Sequence, residues 1–169
     1  MTQNNLAGAL LNQGIRSQGI EGAGLLAQAV TAFRSALEVY TRTDHPVHWA
    51  TTQNNLAVAL QNQGTRTQGA EGVDLLAQAV TAYRNALEVR ARADRPVQWA
   101  TTHFNIALCE EARAEHDSCL DPRPPVTAAL EAVENALTIF DPEHMSRYYD
   151  IATELRDRIQ AKLDALPPA

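Results

Sequence analysis

One 50-residue segment is written twice at the start of this chain. Residues 1–50, MTQNNLAGALLNQGIRSQGIEGAGLLAQAVTAFRSALEVYTRTDHPVHWA, align without a gap to residues 51–100, and 35 of the 50 positions are identical. Whatever structure one copy takes, its neighbour takes too, and the two must be able to lie side by side. A degenerate third copy follows in the same register. Asn5, Asn55 and Asn105 correspond, as do Ala7, Ala57 and Ala107, then Ala29, Ala79 and Ala129, then Ala36, Ala86 and Ala136, each of the last three followed by Leu.

Each unit reads as two helices. In the second copy the first helix starts near Pro46-Val47, because proline fits a helical first turn, with Asp44 upstream expected to satisfy free backbone amides. Pro96-Val97 and Asp94 repeat that pattern. Trp49, Thr52, Leu56, Ala59 and Leu60 follow helical spacing, and Gly64 suits a helix C-terminus. Residues 65–69 read as a loop. The second helix is expected from about Glu71 to Ala93, with Leu75, Leu76, Ala79, Val80, Tyr83, Ala86, Leu87 and Val89 as its apolar stripe. Apolar residues make up 45% of the chain and aromatics only 5%, which favours helices packed closely through Ala and Leu.

One such hairpin cannot bury both its apolar faces, but stacked hairpins cover one another. The spacing therefore predicts repeats at 1–45, 46–95 and 96–141 and a capping helix at 142–165, together one domain over 1–169. In the last helix Ile151, Leu155 and Ile159 supply the buried side. Arg147, Asp150, Glu154, Arg156, Asp157, Arg158 and Lys162 make the other side wet. Met1 falls where Thr51 sits, so the first repeat lacks a Pro-Val-x-Trp-Ala lead and its first helix has one side uncovered. Either the chain is cut from a longer array or this edge meets a partner.

The pairs Leu6-Ala7 and Leu56-Ala57, followed by Ala29-x-x-x-Phe33-x-x-Ala36 and Ala79-x-x-x-Tyr83-x-x-Ala86, resemble tetratricopeptide repeats. The third unit keeps Ile106-Ala107 and Ala129-x-x-x-Val133-x-x-Ala136, without the aromatic. The string HPVHWATTQNNLAVALQNQG, residues 45–64, is similar to the kinesin-light-chain-like subtype. The period departs from the family's usual 34 residues, and the third unit replaces the QGTRTQGAEG loop with the Pro-rich HDSCLDPRPP. The resemblance implies an all-α fold: a right-handed α-α superhelix, a solenoid of stacked helical hairpins closed by a C-terminal capping helix.

The resemblance also implies a function, binding a peptide or helix of a partner protein in a concave groove lined by the first helices. It gives Asn5, Asn55 and Asn105 the role of bonding a bound backbone, for which an amide carries both donor and acceptor. Helical geometry adds Asn12, Asn54, Val58, Gln61 and Asn62, and in the third unit Phe104 and Leu108, as partner-binding positions. The alternative role for the recurrent Asn is a structural bond between helices. The alternative function is a structural or self-assembling segment of a larger multidomain bacterial protein, forming homo-oligomers through its N-terminal edge. Trp49 and Trp99 are expected in the seam between units rather than as binding hot spots. Arg34 and Arg84 are expected in surface ion pairs of little consequence.

Other classes of function find little support. The net charge of −6 comes almost wholly from beyond Glu110, the first hundred residues are roughly balanced, and no basic face is available for nucleic acid or an anionic membrane. No apolar run is long enough to span a bilayer, and the opening residues do not read as a secretory leader, so a cytoplasmic protein is expected. Cys109, His116 and Cys119, with His103 upstream, match no zinc spacing. Glu110 and Glu111 are adjacent and point apart on a helix, and no phosphate-binding loop is present. The expectation is a protein with no catalytic residues, no metal and no cofactor.

Overall fold

The computed structural model describes residues 3–167, and over these the chain forms seven α-helices and no strand. They are α1 (Gln3–Arg16), α2 (Gly19–Val39), α3 (Pro46–Gly64), α4 (Gly69–Leu87), α5 (Pro96–Glu115), α6 (Arg123–Leu137) and α7 (Ser146–Ala165). Helices adjacent in sequence pair as hairpins, α1 with α2, α3 with α4 and α5 with α6, a pattern compatible with a helical repeat. No described helix is long and apolar enough to cross a membrane. The chain divides into two compact units, Met1–Val89 and Arg90–Ala169.

In the first unit α2 packs on α3, and α1 touches α3. The recurrent alanines explain how closely. Ala7, Ala29, Ala36, Ala57, Ala79 and Ala86 are all 2% exposed or less, so each sits where a larger side chain would hold two helices apart. Leu26, Phe33, Leu60, Leu76 and Tyr83 fill the remaining volume and are fully buried. Each contributes about 1.5–3 kcal/mol of transfer free energy. In the second unit α7 lies against α6 and α5. Val133, Phe140, Leu155 and Ile159 form the core there, with Ala107, Ala129 and Ala136.

Several local expectations are corrected. The second helix of repeat 2 ends at Leu87, not near Ala93; Arg95 donates instead to the carbonyl of Ala91, closing a separate turn before Pro96. Proline disfavours helical backbone in the residue before it, and Arg95 takes φ −140°, ψ 58°. Asp44 does not cap α3; its carboxylate accepts from the Thr41 hydroxyl at 2.6 Å, within the preceding turn. Gly64 remains helical and buried. A Cβ there would stand 2.9 Å from Leu76 Cγ and 3.0 Å from the Gly72 carbonyl oxygen, so glycine allows α3 and α4 to close at this end. Left-handed backbone occurs at Gly69 (φ +75°) and its twin Gly19 (φ +62°), where the loop turns into the second helix. On α7 the buried positions are Ala152, Leu155 and Ile159, while Ile151 is exposed.

Candidate functional site

Helical geometry puts Thr51, Asn54, Asn55, Val58 and Asn62 on the side of α3 opposite the buried Thr52, Gln53, Leu56, Ala59 and Leu60. Asn54, Asn55, Val58, Gln61 and Asn62 are all half-buried, in keeping with a face flanked by neighbours but not sealed. On α1, Asn5 and Asn12 are exposed. The amides divide by what they bond. Asn62 donates to the Val58 carbonyl of its own helix at 2.8 Å, and Gln61 accepts from the Tyr83 hydroxyl at 3.0 Å. The side chains of Asn5 and Asn55 make no hydrogen bond to any other described residue. The bond between α1 and α3 is made one position earlier, where the Thr52 hydroxyl donates to Asn4 Oδ1 at 3.2 Å.

The second unit carries the corresponding face on α5. Asn105 is half-buried and likewise makes no hydrogen bond to another described residue. Phe104 leans edge-on toward Phe140, with ring centroids 6.4 Å apart, so it is partly committed to the core. Leu108 is half-buried. Trp99 is half-buried too; its ring lies 4.2 Å from that of His103, with Arg92 over it at 5.5 Å. Burial lowers the His103 pKa, which keeps the imidazole neutral at pH 7.

Cys109 shows no sign of activation. Burial, reinforced by Glu110 and opposed by Arg113, pushes the Cys109 thiol up to about 12. That leaves almost no thiolate at neutral pH. Among the described residues no group of three or more His, Cys, Asp or Glu side chains is placed to hold a metal ion.

Compared with known proteins, the chain matches no family model, no curated protein and no solved structure.

Two polar arrangements escaped the sequence reading. The first is a helix cap that crosses from one repeat to the next. Arg66 Nη1 donates to the carbonyls of Gly14 (2.9 Å) and Ser17 (3.0 Å), and Nη2 to that of Ile15 (3.0 Å). These are orphan acceptors at the C-terminal end of α1, where the helix dipole also favours a cation. Arg16 and Arg66 stand at matching positions of the two repeats, but no local pattern shows that the acceptors of Arg66 lie 49 to 52 residues upstream. Arg34 joins the same seam: it donates to Gln78 on α4 at 2.9 Å, so its partner is a neutral amide and not the carboxylate of the expected ion pair.

The second arrangement fastens the last helix. Glu111 is buried on α5 and accepts two bonds from Arg158, at 2.8 and 2.6 Å, and one from Lys162, which also reaches Glu115. Burial opposes ionisation of Glu111, but the bonds from Arg158 and Lys162 outweigh it, and its pKa falls below the usual carboxylate value. Two of the seven charged residues read as a wet face of α7 therefore reach across to α5, Lys162 half-buried and Arg158 still 54% exposed.

Proposed function

We propose that this chain is a protein-interaction module. In this reading it is a tetratricopeptide-like repeat protein with right-handed stacking, and its first-helix faces bind an extended segment or helix of a partner polypeptide. The observation that supports it most is the state of the recurrent amides. A structural Asn would be bonded to a neighbouring helix. Asn5 and Asn55 in one unit, and Asn105 in the other, bond no described residue, while adjacent side chains carry the internal bonds. Each keeps a donor and an acceptor that a peptide backbone can use. A cytoplasmic setting and a bacterial source belong to the same proposal.

The test uses the full chain as bait, with partners captured from native lysate and identified by mass spectrometry. Asn5→Ala with Asn55→Ala should leave helicity and melting temperature unchanged. It should weaken the captured partner about thirtyfold, since each of the two lost amide bonds is worth about 1 kcal/mol. Equal capture by the double variant would remove the groove reading.

A second reading, self-assembly through the N-terminal edge, draws on the exposure of Leu6 (46%). Light scattering over a concentration series separates it from the first, and a strict monomer excludes it.

A further inference from the structure

The seam between repeats 1 and 2 lies inside the first unit, so its leading half can be compared with the same residues one repeat earlier. On repeat 2, where α2 packs against α3, Leu56 is 7% exposed, Leu60 2%, Ala59 0% and Ala82 4%. Their twins on repeat 1 are open: Leu6 is 46% exposed, Ala9 is exposed, and Leu10 and Ala32 are half-buried. Between α1 and α2, Leu6, Leu10 and Ala32, with Ala27, Gln28 and Thr31, line a shallow groove of about 420 Å³.

The polar half of the seam is duplicated as well. Gln78 accepts from Arg34, Arg66 closes on the end of α1, and Glu88 pairs with Arg42. Repeat 1 presents Gln28, Arg16 and Glu38 at the same positions. None of the three bonds another described residue through its side chain. Near Arg16 in sequence, repeat 1 also carries exposed Ile15 and Ile20 where repeat 2 has Thr65 and Ala70.

We propose that the leading face of repeat 1 is a docking socket for a further helical hairpin of this same repeat, and that Arg16 closes on the C-terminal carbonyls of that hairpin's first helix. The occupant follows from continuity with the internal seam. It presents the packing face of its second helix to Leu6 and Leu10, as α2 does to α3, an Arg to Gln28, a second Arg to Glu38, and free helix-end carbonyls to Arg16. These are the groups that repeat 1 itself offers to repeat 2. A peptide in extended conformation lacks the helix end that Arg16 caps. The inference does not depend on the Asn55 strip, and the failure of either leaves the other standing.

The experiment adds a copy of residues 1–50 directly before Met1 of the full chain. Joined there, Ala50 of the added copy precedes Met1 as it normally precedes Thr51. The extended protein should melt several degrees higher than the parent. Its denaturant m-value should rise by about a third, in proportion to the added surface buried on folding. Arg16→Ala should leave the parent's melting temperature unchanged, and should lower that of the extended protein by as much as Arg66→Ala lowers it. An unchanged melting temperature and m-value with the added residues readily cut by protease would overturn the proposal. So would an Arg16→Ala variant that is silent in both proteins. A parent chain that dimerises, and is returned to monomer by Leu6→Asp, would overturn the assigned occupant in favour of a second copy.

Discussion

Arg66 Nη1 lies 2.9 Å from the carbonyl oxygen of Gly14, so the loop of one repeat completes the first helix of the repeat before it. The guanidinium spans three carbonyls with two nitrogens, a match to its planar fork that a lysine ammonium lacks. The relationship turns a duplicated sequence into coupled structure, because the end of α1 and the α3–α4 loop are stabilised together.

Arg66→Ala should therefore destabilise the protein by about 1–2 kcal/mol, a partly exposed charged donor being worth less than a buried one. Urea unfolding gives the value. Hydrogen exchange should show the last turn of α1 fraying. Arg66→Lys should recover only part of the loss. A change within about 0.5 kcal/mol, the usual scatter of surface substitutions, would show that the cap contributes nothing.

The Glu111 cluster predicts how α7 responds to acid. Glu111 has a folded-state pKa below its unfolded value near 4.5. Its contribution is thus fully present above about pH 4.5 and is lost as pH falls through the lower folded value. The Lys162 pKa is raised above 10.5, so its share is present below that pH and is lost in stronger alkali. Glu111→Gln should remove this share of the acid dependence and cost about 1–2 kcal/mol. Trypsin reports it directly: cleavage after Arg156, Arg158 and Lys162 should be slow in the native chain and faster in the variant at neutral pH. Cleavage at equal rates in both would show that this cluster does not hold α7.

Glycines should respond to substitution in opposite directions, according to the space and the backbone conformation at each. Gly64→Ala adds a Cβ 2.9 Å from Leu76 Cγ, and overpacking of about 1–3 kcal/mol outweighs the helix propensity of about 1 kcal/mol that alanine adds. Gly24→Ala on α2 meets nothing within 4 Å and should stabilise by about 0.5–1 kcal/mol. Gly69→Ala should cost about 1 kcal/mol or more, because its φ of +75° is strained for any residue with a Cβ. Thermal melts of the three variants check all three signs.

The two thiols should be distinguishable by alkylation. Cys109 is fully buried with its pKa pushed up to about 12, whereas Cys119 is half-buried near the chain surface. Iodoacetamide at neutral pH should modify Cys119 in the native protein and Cys109 only after unfolding. Rapid native labelling of Cys109 would contradict the packing of α5 against α6.

The sequence by itself determined the helices and their pairing. A 50-residue period carries its apolar stripe in every copy, and side-chain periodicity is a local property that survives without knowledge of neighbours. Element starts at Pro46 and Pro96 were legible for the same reason, proline acting on its own residue and the one before. The recurrent amides at Asn5, Asn55 and Asn105 were visible, but sequence left two roles open. Only the packed structure, in which Thr52 and Asn4 make the interhelix bond, separates the amides that are used internally from those left over. Arg66 on the end of α1, and Arg158 and Lys162 on Glu111, were decided by tertiary structure alone. Their partners stand 47 to 52 residues away in sequence, and a long polar side chain shows no periodicity that reveals which helix end or carboxylate it will reach.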